Sequence, residues 1–142
     1  MNASDATTPV LRPYFPAITE FAAGRDSPRD FLERCLVALD AWEPRIGAFV
    51  TLNLAEARAA ADRSTARWRA GNPLSPIDGM PLGIKDIIET ADMPTQNGSP
   101  LFAAFRSERD AASGRRAARG RRGHPRQDRD HRVRGDRAAR HP

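Results

Sequence analysis

The sequence predicts an α/β protein on three observations. Two capped amphipathic helical stretches come first, a short apolar strand candidate follows them, and an arginine-rich stretch without apolar periodicity comes last. At 142 residues the chain has the length of one ordinary domain.

Residues 1–26 are polar and broken by Pro9, Pro13 and Pro16, which reads as an arm, although Tyr14, Phe15, Ile18 and Phe21 could lie against a neighbour. Ser27 followed by Pro28 and Asp30 writes a helix start: an N-cap, a proline at the first helical position and an acid at the third. Phe31, Leu32, Cys35, Leu36, Leu39 and Trp42 then recur at three- and four-residue spacing, one apolar face of about four turns that runs to Pro44. The short run Ile46, Ala48, Phe49 and Val50 is either an extended segment or the turn between two helices. Asn53 with Glu56 three residues on is a second capping pair, and it opens the alanine-rich stretch from Leu54 to Ala70. Gly71, Asn72 and Pro73 stop that helix, so a helical hairpin is expected. From Gly71 to Phe102 the texture changes to glycine, proline and short apolar runs, with Pro81 to Ile88 the best strand candidate. Lys85 stands inside it between Ile84 and Ile87, where a strand would carry the lysine inward.

Charge divides the chain in two. Residues 1–105 hold 10 Lys and Arg against 13 Asp and Glu, whereas residues 106–142 hold 13 Arg against 5 acids, so the parts carry −3 and +8. Of the 23 basic residues only Lys85 is lysine, which sets it apart again. Cys35 is alone and allows no intramolecular disulfide, and His124, His131 and His141 form no cluster at metal-ligand spacing. No apolar run approaches the ~18 residues of a membrane span, and the first thirty residues lack a secretory pattern, so a cytoplasmic protein without membrane contact is expected. Cys35, Trp42 and Trp68 read as helix packing.

The run Pro76-Ile77-Asp78-Gly79-Met80-Pro81-Leu82-Gly83-Ile84-Lys85-Asp86, continuing through Thr90, Pro94-Thr95 and Gly98-Ser99, resembles the lysine-bearing segment of the amidase signature family. The resemblance covers roughly Phe31 to Ser113, with Asp92 where many members carry glycine. It implies the N-terminal portion of a mixed sheet wrapped by helices, with the helical hairpin first. It also implies an enzyme that needs no metal or cofactor and hydrolyses, or in some members transfers, the nitrogen of small-molecule carboxylic amides. The family uses a Ser–cis-Ser–Lys triad in which a neutral lysine draws a proton through the bridging serine from the attacking one. Lys85 matches that lysine, and desolvation by Ile84 and Ile87 would favour its neutral form. Ser99 belongs to the lysine segment and is not assigned as the nucleophile, so both triad serines are absent. The resemblance thus divides the chain into an arm at 1–26, a partial amidase domain at 27–113 and a disordered basic tail at 114–142. As given, the chain is expected to be an inactive, truncated fragment.

The tail carries its own explanation. In the run Gly123-His124-Pro125-Arg126-Gln127-Asp128-Arg129-Asp130-His131-Arg132-Val133, shifting the possible codons forward by one nucleotide forces Lys or Arg at one step and Ile or Thr at four. With GC-rich choices elsewhere the shifted frame reads V-I-L-G-K-T-V-T-T-E-F, similar to the segment that follows the lysine stretch in the family. A frame slip near Ser113 would make the tail out-of-frame translation. The competing reading is an arginine-rich nucleic-acid-binding arm with non-specific phosphate contacts, against which stand the absence of any aromatic residue after Phe105 and the acids that interrupt the charge.

Overall fold

The computed structural model describes residues 12–112 and, as backbone, 132–134. Helix α1 spans Tyr14–Ala22, α2 Pro28–Ile46 and α3 Leu54–Arg69; strands β1 (Thr51–Leu52), β2 (Leu82–Ile84) and β3 (Arg132–Arg134) form one sheet, and a 3-10 turn occupies Pro100–Phe102.

The starts of α2 and α3 follow from their caps. Ser27 is extended, and its Oγ accepts the Asp30 N–H at 3.1 Å while donating to the Asp30 carboxylate at 2.7 Å. The Asn53 side chain accepts the Glu56 N–H at 3.4 Å. The far end of α3 closes as a Schellman turn: Gly71, at φ 70°, donates to the Trp68 carbonyl, and Asn72 donates to that of Arg67. The end of α2 differs from expectation. The helix runs through Pro44 and stops at Gly47, which is left-handed at φ 58° and donates to the Glu43 carbonyl at 2.8 Å. Pro44 costs the helix one N–H bond without ending it, whereas a glycine that takes the left-handed region ends it outright.

The two helices pack antiparallel, as the capped segments predict. Leu32 and Leu36 of α2 bury against Ala57 and Ala61 of α3, with Leu54 alongside. Polar links flank that seam: Arg29 N–H donates to Thr65 Oγ1, Arg29 bonds Asp62, and Glu33 takes both Arg29 and Arg58.

The expected arm at 1–26 is corrected from Tyr14 onward; residues 1–11 lie outside the described residues. Tyr14, Ala17 and Phe21 of α1 bury with Phe31 of α2, and Cys35, Trp68 and Met80 pack against them. Tyr14, Phe21, Phe31 and Trp68 meet edge to face at centroid separations of 5.4–6.1 Å, the arrangement that aromatic quadrupoles favour. Pro16 does not prevent this helix because it sits in the first turn, where its missing N–H would have no partner.

The sheet order is β1-β3-β2, with β3 antiparallel to β1 and parallel to β2. The tail expected to be disordered therefore departs from that expectation at Arg132–Arg134, which supplies the middle strand. The rest of the tail, its three histidines included, lies outside the described residues, as does most of the shifted-frame run. No helix among the described residues is long and apolar enough to cross a membrane.

Candidate active site

The segment that bears the lysine is fastened to the helices through Asp78. Its backbone carbonyl accepts two donors, the Tyr14 hydroxyl at 2.7 Å and the Trp68 Nε1 at 2.9 Å. Its carboxylate, 1% exposed, takes both arms of the Arg67 guanidinium at 2.8 and 2.6 Å and the Leu74 N–H at 3.0 Å. Burial pushes this carboxyl upward, but the Arg67 fork and the Leu74 amide outweigh it and hold the group below the usual aspartate range. Burial raises the Tyr14 hydroxyl well above an ordinary phenol, reinforced by the Asp78 charge, so it stays a donor.

Gly79 explains why the motif pairs aspartate with glycine. It sits at φ 90°, and a Cβ there would lie 2.6 Å from Pro28 Cβ and 2.6 Å from Ser64 Oγ. The close approach seats the segment on the start of α2 and the middle of α3. From there the chain passes through Met80, in contact with the aromatic core, into β2.

Lys85 follows the last residue of β2, and the structure corrects its expected surroundings. Ile84 is buried, but Lys85 is exposed, and Ile87 is 57% exposed. The strand ends at Ile84, and the chain turns at once, with the Ile88 N–H donating to the Lys85 carbonyl at 2.9 Å. Burial alternates from Ile84 to Ile87, so the lysine falls on the side away from the buried Ile84 rather than inward. Among the described residues no carboxylate forms an ion pair with Lys85.

Asp86 carries no signal of its own in the sequence, yet it organises the loop beyond the lysine. It is 1% exposed, and its carboxylate accepts the Gln96 N–H at 2.9 Å and the Gly98 N–H at 3.3 Å. Asn97, at φ 54°, and Gly98, at φ 65°, make the left-handed turn that presents those amides. Met93, Thr90 and Thr95 are buried below the same loop, and the Thr95 N–H donates to the Phe105 carbonyl. Asp86 thus holds Gln96–Ser99 beside the residue that bears the amine. The Asn-Gly pair is the available signal, because its turn needs a nearby acceptor. The Ser99 Oγ accepts the Leu101 N–H at 3.3 Å as the cap of the 3-10 turn. Cys35 is half-buried against the aromatic cluster, and burial pushes its thiol up. No group of His, Cys, Asp and Glu among the described residues has metal-binding geometry.

A helical hairpin packed on a glycine- and proline-rich segment that turns at a single lysine defines the lysine-bearing part of an amidase. The family model described as Amidase matches residues 30–117, and the chain belongs to that family. It is 46% identical over 90 residues to a glutamyl-tRNA(Gln) amidotransferase subunit of Chloroflexus aggregans, an alignment covering 63% of this chain and 18% of the relative. The corresponding protein of Halorhodospira halophila is 38% identical over 96 residues, covering 68% and 20%. Among solved structures, the peptide amidase of Stenotrophomonas maltophilia superposes with a TM-score of 0.65 at 28% identity, over 87% of this chain and 25% of that one. The chain spans about a fifth of the length of the curated relatives it matches.

Proposed function

We propose that this chain contributes the catalytic lysine of an amide-cleaving enzyme and that the 142-residue chain by itself has no turnover. The observation that carries the reading is Lys85 at the mouth of β2, followed by the Asp86-clamped loop, inside the stretch that the family model matches. In this reading the neutral Lys85 amine accepts a proton through a bridging serine, and a second serine attacks the amide carbonyl to form an acyl-enzyme. The leaving nitrogen takes a proton and departs. Water then releases the acid, and the departed nitrogen is either set free or passed to an acceptor. Neither serine can be assigned in this chain, and one member of a triad does not perform the reaction. The substrate class is a small carboxylic amide, and no cofactor or metal enters the proposed reaction.

The out-of-frame origin of residues 114–142 belongs to this proposal. It is supported by the change from −3 to +8 in charge, by the shifted reading of residues 123–133, and by a family match that reaches only residue 117. The nucleotides of those codons test it: a shifted frame that does not spell a lysine- and threonine-containing segment removes the explanation.

The purified 142-residue protein should show no amide hydrolysis above background. Turnover that disappears in Lys85→Ala would overturn the proposed inactivity. The role of the lysine itself is tested by grafting residues 30–113 into the Chloroflexus aggregans relative in place of the stretch they match.

A further inference from the structure

The turn that Asp86 clamps holds a reactive pair. Asn2, Asn53 and Asn72 precede Ala3, Leu54 and Pro73, whereas Asn97 precedes Gly98, whose missing side chain leaves its backbone nitrogen open to approach. Asn97 and Gly98 are exposed and left-handed, in a turn closed by the Ser99 N–H donating to the Gln96 carbonyl at 2.9 Å. One buried residue holds the amides of this turn. The Gly98 N–H donates to one Asp86 carboxylate oxygen at 3.3 Å, the Gln96 N–H to the other at 2.9 Å, and the Asn97 N–H to the Asp86 carbonyl at 3.4 Å. A nitrogen attacks with the electron pair it gains on losing its proton, so an N–H aimed at Asp86 is aimed away from the Asn97 side chain. The carboxylate also opposes loss of that proton, because it stabilises the N–H form.

We propose that Asn97 is a self-modification site latched by Asp86. When the latch opens, the Gly98 nitrogen attacks the Asn97 side-chain carbonyl carbon. A five-membered imide ring closes, the bond from that carbon to the side-chain nitrogen breaks, and this nitrogen leaves as ammonia with the proton that Gly98 gave up. Water then opens the ring at either carbonyl and restores the N–H, leaving aspartate or isoaspartate. The new carboxylate faces Asp86 with like charge, so the latch no longer closes and the loop beside Lys85 is released for good. None of this rests on a catalytic role for Lys85.

The full chain and the free peptide Pro-Thr-Gln-Asn-Gly-Ser-Pro, which carries residues 94–100 without the latch, are aged together in mildly alkaline buffer, and mass spectrometry assigns each conversion of amide to acid. Asn97 in the chain should convert at least about tenfold more slowly than in the peptide, and Asp86→Asn should recover most of the difference, since a neutral acceptor holds the Gly98 N–H less tightly. Asn97→Asp introduces the product charge without ageing and keeps a residue that tolerates the left-handed turn. Its Gln96 and Gly98 amides should exchange hydrogen faster than in the unaltered chain, with α2 and α3 unchanged, and this holds the test open even if Asp86→Asn fails to fold. Conversion in the chain as fast as in the peptide, a folded Asp86→Asn that converts no faster, earlier conversion at Asn53 or Asn72, or unchanged exchange in Asn97→Asp would each overturn the proposal.

Discussion

The Asp78 carbonyl receives Tyr14 and Trp68 while its carboxylate receives Arg67 and Leu74, so one residue ties α1, α3 and the lysine segment together. Removing the carboxylate leaves the Arg67 guanidinium, 18% exposed, without that ion pair. Asp78→Ala should therefore cost about 3–5 kcal/mol in denaturant melts. The carboxyl is held below its usual range when folded, so its contribution is complete above the unfolded value of about 3.9 and fades as pH falls through the lower folded value. The stability gap between the protein and Asp78→Asn should accordingly shrink on acidification below about pH 4. A gap unchanged down to acid would show that the ion pair is not what the carboxylate contributes. Gly79→Ala should cost about 2–4 kcal/mol in the same melts, combining left-handed strain with a Cβ pressed on Pro28. At this scale the motif is legible in the sequence but its mechanics are not. Asp78 and Gly79 stand out as part of a pattern, yet the partners that make them necessary come from helices up to 64 residues away in the chain. Lys85 is conspicuous as the one unusual cation, whereas its exposure is not legible, because the apolar run around it does not say which of its residues faces inward, and the structure buries Ile84 and Asp86 instead.

Elements with local signals are the most legible. The cap residues of α2 and α3 each bind the amide that their spacing indicates, and Gly71 with Asn72 closes α3. Ser27→Ala should cost about 1 kcal/mol, measured as a fall in melting temperature with unchanged helical content at low temperature. Helix α1 is hidden in the sequence because Pro13 and Pro16 resemble breakers in a list of residues. In space Pro13 precedes the helix and Pro16 lies in its first turn, while Tyr14, Ala17 and Phe21 at three- and four-residue spacing bury one face. The end of α2 is obscured for the converse reason: Pro44 looks terminal, but Gly47 supplies the left-handed residue that stops the helix. β3 has no signal in sequence, since Arg-Val-Arg is too short and too charged to read as a strand.

At the scale of the whole molecule, the described part is a helical layer with a well-filled aromatic core beside a minimal sheet. Ile87, Leu101, Phe102 and Phe105 are exposed, Leu101 at 91%, and all lie within the stretch that the family model matches. Such a surface favours association, so the purified chain should self-associate more as ionic strength rises, a trend that light scattering can follow. The central claim concerns Lys85 as the base of an amidase reaction, and the graft into the Chloroflexus aggregans relative tests it most directly. The graft of residues 30–113 should retain the relative's amidotransferase activity, and Lys85→Ala in it should lower kcat by roughly a thousandfold or more with folding intact. A folded, active graft whose kcat is indifferent to Lys85→Ala would contradict the account.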